Sequence, residues 1–149
     1  MSSIKIIAIS SSGGHLSELM KAIPKKFSDQ VAYITSINGH SINSLNHKKH
    51  FFIIDPHVSI LKYIYNSFQT VILFFKIKPK VVISTGSGIA IPMILISWIF
   101  GVKIIFIESG ARIYNPSRTG NFIYKFSDLF IIQYKELKNF FPNSKIGSL

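Results

Sequence analysis

Short runs of β-branched apolar residues, separated by stretches long enough to form helices, constrain the fold more than any other feature of this sequence. The runs are continuous rather than alternating, which is typical of strands buried on both faces of a parallel sheet. The predicted strands are Ile4–Ile9, Gln30–Thr35, His50–Ile54, Val81–Ser84, Lys103–Ile107 and Leu129–Ile132. The predicted helices cover residues 16–23, 59–76, 89–100, 117–126 and 135–140, and the polar segment 37–49 is predicted to be a loop. This alternation predicts an α/β fold, a Rossmann-like doubly wound parallel sheet covered by helices.

Length and cysteine content bound the organisation of the chain. Its 149 residues are predicted to form one domain over 1–149, since a chain of this size buries roughly two-thirds of its surface. Cysteine is absent, which excludes disulfides and thiolate metal sites and suits a reducing compartment. We expect neither a metal nor a cofactor. The apolar run near the first residue is too short for a signal peptide or an anchor, so we expect the protein in the cytoplasm.

The charge balance is strongly basic. Lys and Arg number 17 against 6 Asp and Glu, for a formal net charge of +11, and the basic residues cluster at 25–26, 47–50 and 76–80. Such an excess favours an anionic partner, either nucleic acid, an anionic lipid surface or an acidic protein. The alternative is compositional drift in a chain rich in Lys, Ile and Asn. Nucleic acid is disfavoured because no binding module is recognisable and the aromatic residues do not interleave with the basic ones.

The predicted helix over residues 59–76 is more apolar than core packing requires. Its predicted core stripe consists of Ile60, Ile64, Phe68, Val71 and Phe75. The helix is too short to span a bilayer, which needs about 20 apolar residues. It could instead lie in a membrane interface or pack into the core, and both interpretations stay open. The residues predicted to contact the membrane are Lys62, Tyr63, Phe74, Lys76, Lys78 and Lys80.

Two glycine-containing loops follow predicted strands. The first is SSSGGHLSEL, from Ser10 to Leu19, and the second is STGSG, from Ser84 to Gly88. In a parallel sheet, such loops place backbone N–H groups and a helix N-terminus at the carboxyl edge, where anions and polar ligands bind. Neither loop has the spacing of a dinucleotide or Walker motif. An ordinary strand-to-helix turn is the alternative for each.

Three side chains near these loops are candidates for chemistry. His15 ends the first loop, Glu108 follows a predicted buried strand, and Arg112 lies shortly after it. A carboxylate or an imidazole at the carboxyl edge could accept a proton, and an arginine could bind phosphate with two hydrogen bonds. Each also has a structural alternative: a loop-stabilising histidine, a helix-capping or ion-paired glutamate, and a solvated loop arginine.

Taken together, three motifs resemble a known family. SSSGGHLSEL, KPKVVISTGSGIAIP and IESGARIYNPSRTGNFIYKFSDLFIIQY occur in the order found in the N-terminal half of GT-B glycosyltransferases related to MurG. The chain most resembles free-standing versions of that half: the membrane-associated partner subunit of the eukaryotic dolichol-linked chitobiose transferase, and bacterial PssD-type subunits of capsule and exopolysaccharide synthesis. The resemblance covers nearly the whole chain.

The resemblance implies a division of labour between two subunits. This chain would bind a lipid-diphosphate-linked glycan at the cytoplasmic face of the plasma membrane, as a peripheral protein. A partner subunit would hold the nucleotide sugar, and the donor site is expected to be missing here. A stand-alone α/β enzyme acting on a phosphorylated substrate is the alternative, and a basic nucleic-acid-binding domain is a third.

The resemblance also implies roles for residues in the motifs. Glu108 or His15 would be the general base that takes the acceptor proton, with Glu108 slightly favoured. The residues expected to bind the acceptor and its phosphates are Ser12, Gly13, Gly14, His15, Thr85, Gly86, Ser87, Gly88 and Arg112.

Overall fold

The computed structural model of the chain describes residues 5–57 and 59–149, and within them a single parallel sheet of seven strands forms the centre of the fold. The predicted strand residue Ile4 lies outside the described residues. The strands are β1 (Ile6–Ile9), β2 (Val31–Thr35), β3 (His50–Phe52), β4 (Val81–Ser84), β5 (Lys103–Ile107), β6 (Leu129–Ile132) and β7 (Lys145–Ile146). Their order across the sheet is β3-β2-β1-β4-β5-β6-β7, and every neighbouring pair is parallel.

Helices cover both faces of this sheet. The α-helices are α1 (Gly14–Ala22), α2 (Gly39–Leu45), α3 (Ile60–Ile77), α4 (Ile91–Ile99) and α5 (Arg118–Ile123). Short 3₁₀ helices occur at Lys25–Gln30, Gly88–Ala90, Tyr124–Phe126 and Lys135–Asn139. Ile7 and Ile9 pack in one core with residues of α3, α4 and α5, whereas Ala8 packs in a second core with residues of α1 and α2. The predicted doubly wound α/β fold is therefore confirmed.

The predicted strand ends are confirmed for β4, β5 and β6, but β3 is shorter than predicted. Beyond Phe52, the backbone of Ile54 is bound by side chains of α3. Its N–H donates to Oε1 of Gln69 at 2.9 Å, and its carbonyl accepts from Nδ2 of Asn66 at 2.8 Å. These bonds anchor the chain to α3 just past the end of β3.

The segment 37–49 was predicted to be a loop, and this is wrong for its central part, which forms α2. A capping box begins this helix: Asn38 Oδ1 accepts from the Ser41 N–H at 2.8 Å, and Ser41 Oγ accepts from the Asn38 N–H at 2.9 Å. The reciprocal bonds start a helix in a sequence that has no apolar periodicity. The short strand β7 was likewise not predicted.

The predicted core stripe of α3 is wrong, because the helix is rotated relative to that prediction. Its buried residues are Asn66, Thr70 and Phe74, which recur every four residues along one face. Phe74 packs against the ring of Phe100 with centroids 5.4 Å apart and is 5% exposed, so its predicted membrane contact is also wrong. The exposed apolar residues of the helix, which we call the outer α3 face, are Ile60, Leu61, Ile64, Tyr65, Phe68, Val71, Ile72 and Phe75.

The strand order reverses between β1 and β4, and this point positions the site. From β1 the chain adds β2 and β3 on one side, and from β4 it adds the remaining strands on the other. Ile9 of β1 is in register with Ser84 of β4, so the two glycine loops leave the sheet side by side. Open α/β sheets bind ligands in the crevice at such a reversal.

Among the described residues, no helix has the length and hydrophobicity needed to cross a bilayer.

Candidate functional site

The two glycine loops meet at the carboxyl edge of the sheet and are joined through His15. Its ring Nδ1 lies 2.9 Å from the carbonyl oxygen of Thr85, and the Thr85 hydroxyl donates to the carbonyl oxygen of His15 at 2.7 Å. A carbonyl can only accept, so we assign the proton of the neutral ring to Nδ1. This assignment leaves the lone pair on Nε2 available to accept a proton.

Positive φ angles make the turns of both loops possible. Gly13, at the start of α1, has φ 87°, and Gly86 has φ 112°, values that residues with a Cβ rarely adopt. Ser87 has φ 75° although it is not glycine. Such backbone conformations are costly and concentrate at ligand-binding positions.

A cleft of about 550 Å³ opens beside these loops, and we call it the cationic cleft. Its lining residues are His15, Ser87, Ser109, Ala111, Arg112, Pro116, Ser117, Arg118 and Thr119. Arg112 and Arg118 are both exposed, and no carboxylate is among the described residues that line the cleft. The cleft therefore offers several hydrogen-bond donors and positive charge to a ligand.

Glu108 lies beneath the cleft rather than in it. The side chain is 1% exposed, and its carboxylate accepts hydrogen bonds from the segment that follows. Oε1 accepts from the Ser109 N–H at 3.1 Å, while Oε2 accepts from the Ser117 N–H at 3.3 Å and the Ser117 hydroxyl at 3.0 Å. A Cβ at Gly120 would collide with this carboxylate, which packs against the first turn of α5. Glu108 thus ties both ends of the 109–117 loop to the sheet.

Of the nine predicted binding residues, five line one or both of two adjacent clefts. His15, Ser87 and Arg112 line the cationic cleft, whereas Thr85 and Gly86 are buried below it. Ser12 and Gly88 line a neighbouring cleft of about 380 Å³, which we call the Asp55 cleft. Its lining residues are Ser11, Ser12, Asp55, Pro56, His57, Ser87 and Gly88.

Several residues of the site were not predicted. Arg118 comes from the PSRTG segment, and its proximity to Arg112 depends on the path of the 109–117 loop. Glu18 follows His15 by one helical turn on α1, and its Oε1 accepts from the Gly110 N–H at 2.9 Å. That spacing on the helix could have indicated that Glu18 faces the same loops as His15.

The predicted membrane-contact residues lie mainly around α3. Lys62, Lys76, Lys78 and Lys80 are exposed. Tyr63 is half-buried, and its hydroxyl packs so closely on Gly88 that a Cβ there would collide with it. Burial, and secondarily the nearby Asp55 carboxylate, raise the pKa of the Tyr63 phenol. Tyr63 therefore supports the second glycine loop from below.

In the described part of the chain, no group of three or more His, Cys, Asp or Glu side chains is arranged to hold a metal ion.

A comparison with models of known protein families shows which family the chain belongs to. The family model described as "Oligosaccharide biosynthesis protein Alg14 like" matches residues 55–149, which include the second glycine loop, Glu108 and both arginines. The chain belongs to this family. The family resemblance predicted from the motifs is thereby confirmed at the level of Alg14-like proteins.

Curated relatives of this Alg14-like chain include two eukaryotic proteins named "UDP-N-acetylglucosamine transferase subunit ALG14". The human protein is 23% identical over 174 residues, covering 95% of this chain and 81% of the relative. The Candida albicans protein is 27% identical over 150 residues, covering 85% of this chain and 68% of the relative.

Among solved structures, MurG from Acinetobacter baumannii is similar to this Alg14-like chain, with a TM-score of 0.73 at 16% identity. The match covers 95% of this chain and 45% of the MurG chain. The likeness confirms the predicted GT-B type of fold, and this chain spans less than half the length of that enzyme.

Proposed function

We propose that this Alg14-like chain is the acceptor-binding, membrane-associated subunit of a two-component glycosyltransferase. A partner subunit holds the nucleotide sugar, and the sugar is transferred to a lipid-diphosphate-linked glycan. The cationic cleft is the observation that supports this proposal most directly. It lies at the reversal of strand order, in a chain whose relatives are named as subunits of a UDP-N-acetylglucosamine transferase.

The charge of the cationic cleft suits the diphosphate of such an acceptor. Arg112 and Arg118 can each donate two parallel hydrogen bonds to phosphate oxygens. The N-terminus of α1 adds backbone N–H groups and the positive end of the helix dipole beside His15. The ligand proposed for this cleft is thus the anionic part of the acceptor.

His15 is the general base in this proposal. Nε2 takes the proton from the attacking acceptor hydroxyl, whose oxygen forms the new bond to C1 of the sugar while the bond from C1 to the UDP oxygen breaks. UDP leaves with that electron pair. The Thr85 carbonyl, which accepts from Nδ1, keeps the ring oriented. Glu108 holds the 109–117 loop and takes no part in proton transfer.

Attachment to the membrane is the third part of the proposal. The outer α3 face continues into Trp98, Ile99 and Phe100 near the end of α4, all of them exposed, and lysines flank α3. Exposed apolar patches of this extent mark interaction surfaces, and lysines at their border favour an anionic lipid surface. The proposed location is the cytoplasmic face of the plasma membrane, where the lipid-linked acceptor is held.

We further propose that the glycan product belongs to capsule or exopolysaccharide synthesis, as for the PssD-type subunits that the motifs resemble.

Reconstitution tests the proposal as a whole. The purified chain, a candidate donor-binding partner, a lipid-linked acceptor and a panel of UDP-sugars are combined, and labelled lipid product is measured. We expect product only when both chains are present. Robust transfer by this chain alone would instead support a stand-alone enzyme.

A further inference from the structure

We propose that Glu18 is a positioning residue, which holds the turn that carries Arg112 so that this arginine can bind phosphate. The inference rests on the proposed function, because Glu18 acts through the phosphate contact of Arg112. Glu18 is half-buried on α1 and is not among the described residues that line the cationic cleft. It therefore acts on the turn and not on the ligand.

The carboxylate of Glu18 binds the turn from which Arg112 projects. The Arg112 N–H donates to the Ser109 carbonyl oxygen at 3.0 Å, which closes a β-turn over residues 109–112. Inside this turn, the Gly110 N–H donates to Glu18 Oε1 at 2.9 Å. A hydrogen bond to a charged acceptor is roughly twice as strong as one between neutral groups. This bond therefore ties the turn to α1.

Close packing on two sides leaves the turn little freedom to shift. A Cβ added at Gly110 would lie 3.1 Å from Glu18 Oε1 and 3.1 Å from Gln133 Oε1. Gln133 follows β6 directly, and its Nε2 donates to the Glu108 carbonyl oxygen at 3.2 Å. The turn is thus held between a side chain of α1 and a side chain at the end of β6.

The guanidinium of Arg112 depends on this turn for its position. The side chain is exposed, and within the described part of the chain it makes no hydrogen bond or ion pair. Its backbone alone places it at the cleft, so a shift of the turn would move the positive charge. Holding the turn before the ligand arrives reduces the entropy cost of binding.

The second oxygen of Glu18 indicates that this side chain is kept for more than stability. Oε2 is buried and has no hydrogen-bond partner among the described residues. A buried acceptor without a donor lowers stability, and such groups are uncommon in folded proteins. A charged acceptor is therefore retained at a cost, and what it supplies in return is the stronger bond to Gly110.

Charge alone predicts the opposite effect of removing Glu18. A carboxylate close to an anion-binding cleft repels the anion, so its loss should strengthen the binding of phosphate. If Glu18 positions Arg112, its loss should weaken that binding instead. The sign of the change in affinity separates these two effects.

Calorimetric titration of the full chain with farnesyl diphosphate, a soluble lipid diphosphate, tests the inference. We expect Arg112→Ala to weaken binding by about thirtyfold and Glu18→Ala by about tenfold, the scale of hydrogen bonds to charged groups. In the double variant, Glu18→Ala should add no more than about twofold, because the side chain that it positions is already absent. A residue that only stabilises the fold would give additive effects.

Two further variants serve as controls, and thermal melting followed by circular dichroism checks that each is folded. Glu18→Gln keeps an acceptor oxygen for the Gly110 N–H and should weaken binding by only about threefold. It replaces Glu18→Ala as the test if that variant unfolds, and its loss should likewise vanish beside Arg112→Ala. Glu136→Ala removes another half-buried carboxylate and should not weaken binding.

Kinetics of the reconstituted complex give a second readout. Glu18→Ala should raise the KM for the lipid-linked acceptor and keep kcat within about twofold, because Thr85 rather than the 109–112 turn fixes the His15 ring. A fall in kcat with an unchanged KM would contradict the positioning role.

The outcomes distinguish this inference from the proposed function. If Glu18→Ala leaves the affinity unchanged or raises it, or if its effect adds fully to that of Arg112→Ala, the positioning role is wrong and the proposed function stands. If the wild-type chain does not bind the probe, or Arg112→Ala binds it as tightly, the diphosphate assignment of the cationic cleft fails and the inference fails with it.

Discussion

At the scale of single residues, Glu108 is buried and His15 lines the cationic cleft, and this difference is the reason His15 is the proposed base. The family resemblance implies that one of the two is the base, with Glu108 slightly favoured. In the structure its carboxylate is buried and accepts three hydrogen bonds, whereas His15 lines the cleft with Nε2 available. Sequence alone could not reveal these environments, because the path of the 109–117 loop determines whether the Glu108 carboxylate oxygens already accept hydrogen bonds.

Replacing His15 is predicted to remove catalysis without unfolding the protein. In the reconstituted two-subunit complex, His15→Ala should lower kcat by about a hundredfold or more, the scale on which a general base contributes. His40→Ala is the matched control, since His40 is exposed and its ring bonds only to the Ser17 hydroxyl at 3.3 Å among the contacts described. Near wild-type rates in the folded His15→Ala complex would place the base on the partner subunit.

Replacing Glu108 is predicted to reduce stability more than activity. Glu108→Ala leaves the N–H groups of Ser109 and Ser117 without their acceptor, and each buried unsatisfied group costs about 1–3 kcal/mol. Urea unfolding should show that loss, with Glu136→Ala as a less buried control. An unchanged free energy of unfolding together with a hundredfold slower reaction would restore Glu108 as the base.

At the scale of elements, the sequence predicts strands well and helix orientation poorly. The ends of β4, β5 and β6 agree with prediction because continuous β-branched runs are bounded there by polar or glycine-containing segments. In contrast, α3 has apolar residues on most of its circumference, so periodicity could not identify its buried face. That face includes Asn66 and Thr70, and Asn66 is buried because it binds the Ile54 carbonyl.

The contact between the two glycine loops was also predictable from the sequence. Parallel strands direct all of their carboxyl ends to one edge, so a loop after β1 and a loop after β4 had to be close if those strands paired. The positions of Asp55 and Arg118 were not predictable in this way. Asp55 lies on an irregular segment, and Arg118 begins α5 directly after the irregular part of the 109–117 loop, so both positions depend on tertiary packing rather than on local pattern.

The orientation of α3 gives a prediction about stability. Phe74→Ala should lower the free energy of unfolding by about 3–5 kcal/mol, the usual cost of removing a buried phenylalanine. Phe68 is 63% exposed, so Phe68→Ala should change it by less than about 0.5 kcal/mol. Urea unfolding of both variants measures the contrast. The reverse order of effects would show that the stripe containing Phe68 is the buried one.

At the scale of the whole molecule, apolar surface and positive charge lie together on one side. The outer α3 face and the exposed end of α4 belong to the layer opposite α1 and α2. With a formal net charge of +11 and lysines bordering α3, this side can combine shallow insertion with attraction to anionic lipid. A subunit that binds a lipid-linked acceptor must reach the bilayer, and in the proposed function this side makes that contact.

The last prediction concerns this attachment. The wild-type chain should sediment with vesicles of phosphatidylglycerol and phosphatidylcholine, dissociate partly as salt rises, and bind pure phosphatidylcholine more weakly. A lysine near an anionic leaflet contributes about 1 kcal/mol, so Lys76→Ser with Lys78→Ser should remove much of the salt-dependent part. Ile64→Ser with Phe68→Ser should lower the partition coefficient by about tenfold or more, because two inserted apolar side chains are lost.

The matched control for the apolar pair is Ile42→Ser, on α2 in the opposite layer, where the side chain is 47% exposed. That variant loses a comparable exposed isoleucine and should bind vesicles as the wild type does, because α2 faces away from the proposed contact. Equal weakening by Ile42→Ser would mean that insertion is not confined to the α3 side. If the wild-type chain fails to bind anionic vesicles at low salt, with or without its partner, the excess of lysine reflects composition alone. The outer α3 face must then be covered by protein rather than lipid, since so large an apolar surface is rarely left exposed to water.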